Sequence, residues 1–145
     1  MGRGDKDFVD NIFGDYRFKV KSLPVVRAEL GRVNNQIKIK TSSVDDGMYA
    51  GSKKDIYDRY NDKIERKMRL EDTIRCYEGD ISLVDDVLDL LSVEYPVECI
   101  ALKLKHIECR TIAQIEKRLK FSRGQCFNIL KKGESEFAKL IKIVS

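Results

Sequence analysis

The scarcity of helix breakers constrains this chain most. Its 145 residues include two prolines and nine glycines, so long runs hold nothing that removes a backbone donor or loosens the backbone enough to stop a helix. Apolar residues in those runs recur at three- and four-residue spacing, the period of a helix and not of a strand. The expected fold class is therefore all-α. The length suits one ordinary domain, or a small module with a helical extension, and leaves no room for two large independent cores. Charged residues make up 36% of the chain, which predicts amphipathic helices with heavily solvated outer faces.

Residues 1–24 mix charges with Gly2, Gly4, Gly14 and Pro24, while Phe8, Val9, Ile12, Phe13, Tyr16 and Phe18 can share one short apolar face. A short helix or an arm is expected there. Arg3-Gly4-Asp5 matches a cell-adhesion triplet, but three letters recur by chance and nothing else in the sequence is extracellular in character. Over residues 25–40, Val26, Leu30, Val33 and Ile37 fall on one helical stripe. Residues 41–52 gather Ser, Asp and Gly around Met48 and Tyr49, a loop composition. A long exposed helix is then expected over 53–77, carrying Ile56, Tyr57, Tyr60, Ile64, Met68, Ile74 and Tyr77 among interleaved charges. Two such helices would pair antiparallel, because neither can hide its stripe alone. Residues 1–78 are thus expected to form a helical interaction or dimerisation region.

Gly79 is expected to end that helix, and Asp80 or Ser82 to cap the next, with Ile81, Val84, Val87, Leu88 and Leu91 inward. Pro96 suits a first helical turn, and Val97, Ile100, Ala101, Leu104 and Ile107 carry that helix to about residue 107. Thr111 can cap a helix with Ile112, Ile115 and Leu119 inward. Lys120-Phe121-Ser122 follows, and Ser122 can cap a last helix with Cys126, Ile129 and Leu130 inward. Helix, three-residue turn, helix is the order that lets a second helix enter a DNA major groove, with Phe121 expected to anchor the turn in the core.

Charge distribution points the same way. Residues 79–100 hold six acids and no Lys or Arg, whereas residues 101–145 hold eleven Lys or Arg against four acids. Between 117 and 132 there is no acid at all, beside Lys117, Arg118, Lys120, Arg123, Lys131 and Lys132. A basic end of this kind is an electrostatic footprint for a polyanion.

The run from Thr111 to Leu130, Thr-Ile-Ala-Gln-Ile-Glu-Lys-Arg-Leu-Lys-Phe-Ser-Arg-Gly-Gln-Cys-Phe-Asn-Ile-Leu, resembles region four of bacterial sigma factors. Residues 100–108 are similar to the helix that precedes that motif, so the likeness covers about residues 96–142. The whole layout resembles phage late-gene transcriptional activators of the RinA and ArpU type. The resemblance implies a C-terminal helix-turn-helix bundle over 79–145 that binds double-stranded promoter DNA, with bacterial RNA polymerase as partner and a homodimer possible. By position it implies that Ser122, Arg123, Gly124, Phe127, Asn128 and Lys131 face DNA, and that Thr111, Lys117, Arg118 and Lys120 lie close to phosphates. Lys132 extends the same basic run. Arg123 and Asn128 have the chemistry for it, since Arg can bond guanine twice and Asn adenine twice, and Phe127 can touch a thymine methyl. The sequence departs from the family pattern at Glu116, where a small residue is usual, and at Lys120, in place of the turn glycine. Gly124 and Gly133 are expected to weaken the last helix by about 0.5–1 kcal/mol each.

Other chemistries find little footing. His106 with Cys99 and Cys109 lacks the paired spacing of a zinc site. Asp45-Asp46 and Asp85-Asp86 are adjacent acids that diverge on a helix and accompany no nucleophile, so no enzyme and no cofactor are expected. Tyr57, Tyr60 and Tyr77 fit core or partner contacts better than base stacking. Four unpaired cysteines, no leader, no myristoylation signal and no run of about 18 apolar residues predict a cytoplasmic protein without a membrane role. Two alternatives remain: a small terminase-like packaging protein, and an interaction module, such as a host-complex inhibitor, whose helix-turn-helix does not read DNA.

Overall fold

The computed structural model describes residues 3–45 and 53–145, and side chains over 4–38 and 55–145. Every regular element among them is helical: α1 Arg3–Asp45, α2 Lys53–Glu94, α3 Pro96–Leu102 continued by a π-helical turn Lys103–Ile107, α4 Ile112–Leu119 and α5 Arg123–Val144. No helix among the described residues is long and apolar enough to cross a membrane.

Two expectations about helix ends are corrected. Pro24 does not separate an arm from a helix, because α1 runs through it for 43 residues. Its ring faces solvent beside buried Leu23, so the lost backbone bond is borne where water can reach the freed carbonyl. Gly79 likewise ends nothing: α2 continues through it to Glu94, so neither Asp80 nor Ser82 is a cap. A glycine lowers helix propensity by about 1 kcal/mol, which the buried apolar face that follows can outweigh. Within the expected loop, α1 extends to Asp45; Asp46, Met48 and Tyr49 lie outside the described residues.

The chain divides into two units, Val20–Gly79 and Met1–Lys19 with Asp80–Ser145. The boundary expected at 78/79 therefore omits the opening segment, which packs with the C-terminal part because Val9 and Phe13 are fully buried against it.

In the first unit α1 and α2 run antiparallel, tied by Arg27–Glu78 at 2.5 Å and Arg66–Glu29 at 2.7 Å. Of the stripe read from sequence, Val33 is buried and Val26, Leu30 and Ile37 are half-buried. Tyr57 and Met68 are exposed, so of the two expectations for that tyrosine, core or partner contact, the core one is overturned.

The second unit contains two clusters. One joins Val9 and Phe13 of α1, Val84, Val87, Leu88 and Leu91 of α2, Cys99 and Leu102 of α3, and Phe137, Ala138 and Ile141 of α5. The other joins Ala101 and Leu104 to Ile115 of α4 and to Cys126 and Leu130 of α5, flanked by Ile112, Leu119 and Ile129. The inward residues of α4 and α5 are thus those their spacing predicts. Pro96 stands at the first turn of α3, where its missing N–H would have no partner anyway.

Gly133 has a packing role that propensity alone does not reveal. A Cβ there would sit 3.1 Å from the Glu98 carbonyl oxygen and 3.1 Å from Leu102 Cγ. The glycine is what lets α5 cross α3 at backbone contact distance.

Candidate nucleic-acid interface

Two matching capping boxes frame the α4–α5 segment. Thr111 has extended backbone (φ −73°, ψ 161°); its hydroxyl accepts the Gln114 N–H at 3.3 Å, while Gln114 Oε1 accepts the Thr111 N–H at 3.0 Å. Ser122 and Gln125 repeat the arrangement at the start of α5, with the same two distances. Each box satisfies two backbone donors that a bare helix start leaves open.

Between the boxes the chain turns on Lys120, which takes a left-handed conformation (φ 61°, ψ 35°) and donates its N–H to the Glu116 carbonyl at 2.8 Å. Lys120 thereby adopts the backbone geometry that favours glycine at a helix C-terminus. A second left-handed residue, Cys109 (φ 56°), closes the π turn, where Glu108 N–H reaches Lys103 O and Arg110 N–H reaches Leu104 O. Phe121 does not anchor the turn in the core: its ring is 40% exposed, and Ile115, Cys126 and Leu130 fill the space instead.

Arg123, Gly124, Phe127, Asn128 and Lys131 all face solvent on α5. Their spacing of one, four, five and eight residues from Arg123 puts them on one side of the helix. Arg123 lies over the Phe127 ring at 5.8 Å from its centroid, and Gly124 opens onto free space. Lys132 departs from this stripe, its ammonium lying 5.0 Å from the Tyr95 ring centroid. Lys117 and Arg118 line a surface cleft of about 330 Å³ with Leu104, Glu108, Arg110 and Gln114. Arg110 is a basic residue that sequence reasoning passed over, although its position directly before the Thr111 cap was a usable signal.

None of Lys117, Arg118, Lys120, Arg123, Lys131 and Lys132 forms an ion pair with a described residue. Elsewhere Lys19, Arg27, Arg66, Lys105 and Lys142 each meet a carboxylate. The distinction of α4 and the first half of α5 is that six cations without an ion pair to a described residue fall within sixteen residues that contain no acid. Burial raises the Cys126 thiol pKa, and the nearby Glu116 carboxylate adds to the shift, so this cysteine is a neutral core side chain.

The second half of α5 holds a network that no spacing rule announced. Buried Glu134 accepts from Lys105 Nζ at 2.9 Å and lies 3.0 Å from His106 Nε2, while His106 Nδ1 lies 3.8 Å from Asp10. The imidazole stacks on Phe13, which stacks on Phe137, and Arg17 donates to the His106 carbonyl. Burial alone would raise the Glu134 pKa; hydrogen bonds from His106 and Lys105, with their charge, bring it below the usual carboxylate value. Among the described residues no buried side-chain nitrogen or oxygen lacks a partner.

Asp10, His106 and Glu134 place potential metal-ligand atoms within 4.8 Å of one another. The two imidazole nitrogens face different carboxylates, however, and the Lys105 ammonium already occupies Glu134 Oε1. This is ion-pair chemistry and a poor cation cage. Of the zinc candidates from sequence, Cys99 is buried and donates to the Leu88 carbonyl, and Cys109 is exposed. No protein-family model, curated protein or solved structure matches the chain.

Proposed function

We propose that this chain is a sequence-specific, double-stranded DNA-binding transcription regulator, with α4, its three-residue turn and α5 acting as a sigma-region-four-like helix-turn-helix. The observation that carries this reading is the run of six cations from Lys117 to Lys132, none in an ion pair with a described residue, around a solvent-facing stripe of Arg123, Phe127 and Asn128. In this reading α4 crosses the phosphates through Lys117 and Arg118, with Thr111 and Lys120 nearby. Ser122, Arg123, Gly124, Phe127, Asn128 and Lys131 enter the major groove. The layout favours a phage late-gene activator in a bacterial cytoplasm, working with RNA polymerase, and non-catalytic. The tyrosine-bearing helix pair of residues 20–79 then serves contacts with a partner or a second copy.

Fluorescence anisotropy with promoter and random duplexes across a salt series tests it, on the wild type and on Arg123→Ala. The expected result is tighter binding to one promoter fragment, with preference lost in Arg123→Ala and affinity falling with salt by a log–log slope of about −0.9 per phosphate neutralised. Absence of binding at low salt would sink the reading and leave an interaction module.

A further inference from the structure

The unit formed by the opening segment and residues 80–145 presents two solvent-facing surfaces of opposite charge, each with an apolar centre. One lies on the end of α2 and on α3. The core face of α2 there is Val84, Val87, Leu88 and Leu91, yet Leu90 is 56% and Val93 84% exposed, and Ile100 of α3 is 49% exposed. Exposed apolar side chains grouped on one face and rimmed by polar residues mark a contact surface. Asp86, Asp89 and Glu94 are exposed around these side chains and form no ion pair with a described residue. Asp86, Leu90 and Val93 are four and three residues apart, hence on one face.

The other surface is the basic stripe already described, on which Phe127 is 51% exposed; Phe121, 40% exposed, lies in the turn that leads into it. Exposed acids beside Leu90 and Val93 thus have their complement in the exposed cations along the face that carries Phe127. Both surfaces are built on helices that share the packed clusters of one unit, so one molecule cannot close the first onto the second.

We propose that the Leu90–Val93 strip of α2, with its exposed acids, docks the basic α4–α5 face of a second copy of this chain, head to tail. The two patches differ, so the contact is heterologous and builds a ring or an open chain according to the rotation between copies. Opposite charges steer the encounter and make it salt-sensitive, while the exposed leucine, valine and phenylalanine side chains supply the apolar contact. Because the same cations are those proposed to meet phosphate, duplex DNA and the acidic strip compete for one face. This last consequence rests on the DNA reading; the self-contact does not.

Sedimentation velocity of the full chain tests the contact. At low salt the mass is expected to rise with concentration above the 16.8 kDa of one chain, and at high salt to return to it. Asp86→Lys with Asp89→Lys, and separately Lys117→Glu with Lys131→Glu, are each expected to abolish self-association. Mixed one to one, the two variants are expected to associate again, since one keeps an intact strip and the other an intact basic face. Leu90→Ser with Val93→Ser is expected to weaken association without altering charge. All these positions are exposed, and far-ultraviolet circular dichroism checks that each variant folds. A single-chain mass at every concentration at low salt, or association that none of the variants changes, overturns the proposal; the latter places the contact elsewhere. If a short duplex fails to bind while the mixed variants still associate, the self-contact stands and the DNA reading falls.

Discussion

The two halves of α5 answer to opposite demands although they belong to one uninterrupted helix. From Arg123 to Lys132 its outer side holds the exposed Phe127 ring and cations that form no ion pair with a described residue. From Gly133 to Ile141 most of it is buried or half-buried, with Phe137 and Ala138 in the core and Glu134 bonded to Lys105 and His106. The first half leaves its chemistry available and the second spends its side chains on fixing the helix against α1 and α3. Helix propensity is blind to this division, as the two glycines show: Gly124 opens onto free space and Gly133 faces the Glu98 backbone.

The largest effect should come from Glu134→Ala, which leaves the buried His106 side and Lys105 without their carboxylate. Breaking a buried pair from one side costs about 3–5 kcal/mol, measured by urea unfolding. A loss below 1 kcal/mol would mean that the network is dispensable and the contrast between the halves is only one of exposure.

The same carboxylate gives that half a pH dependence. Because the folded pKa of Glu134 lies below its unfolded value, its contribution is complete above the ordinary carboxylate range, roughly pH 4.3 and up, and is lost as pH falls through the depressed folded value. Wild-type stability should therefore drop on acidification more steeply than that of Glu134→Gln, followed by thermal melts over a pH series. Equal slopes would remove Glu134 as the source.

Next in size, Gly133→Ala should destabilise by about 1–3 kcal/mol through overpacking at α3, whereas Gly124→Ala should stabilise by about 0.5–1 kcal/mol. The opposite signs, read from the two melting midpoints, are the sharpest test of the division. The smallest effect on stability is expected from Asn128→Ala, within about 0.5 kcal/mol, while the same substitution should lower promoter affinity if the proposed base contact is made. Parallel loss of stability would show that Asn128 belongs to the structural half.

Much of this was legible from spacing. The apolar residues of α4 and α5 were inward as their period predicts, and Thr111 and Ser122 cap as residues of their type before such a run should. These are local matters, settled within one or two helical turns. Phe121 was misread because whether a turn residue points inward depends on what else fills the core, and Ile115, Cys126 and Leu130 had already filled it. Pro24 and Gly79 were misread for a related reason: their propensity costs are a few kcal/mol at most, less than burial of the faces on either side can supply.

By itself the sequence determined the helical class, the caps that frame the turn, and the acid-free run of positive charge from Lys117 to Lys132, because each depends on residues near one another along the chain. Only the tertiary structure decided that residues 8–16 belong with the C-terminal unit, that Asp10, His106 and Glu134 meet, and that Gly133 marks a close crossing of helices. Those facts join positions tens of residues apart. No periodicity encodes them, since they follow from which apolar faces cover one another when the helices pack.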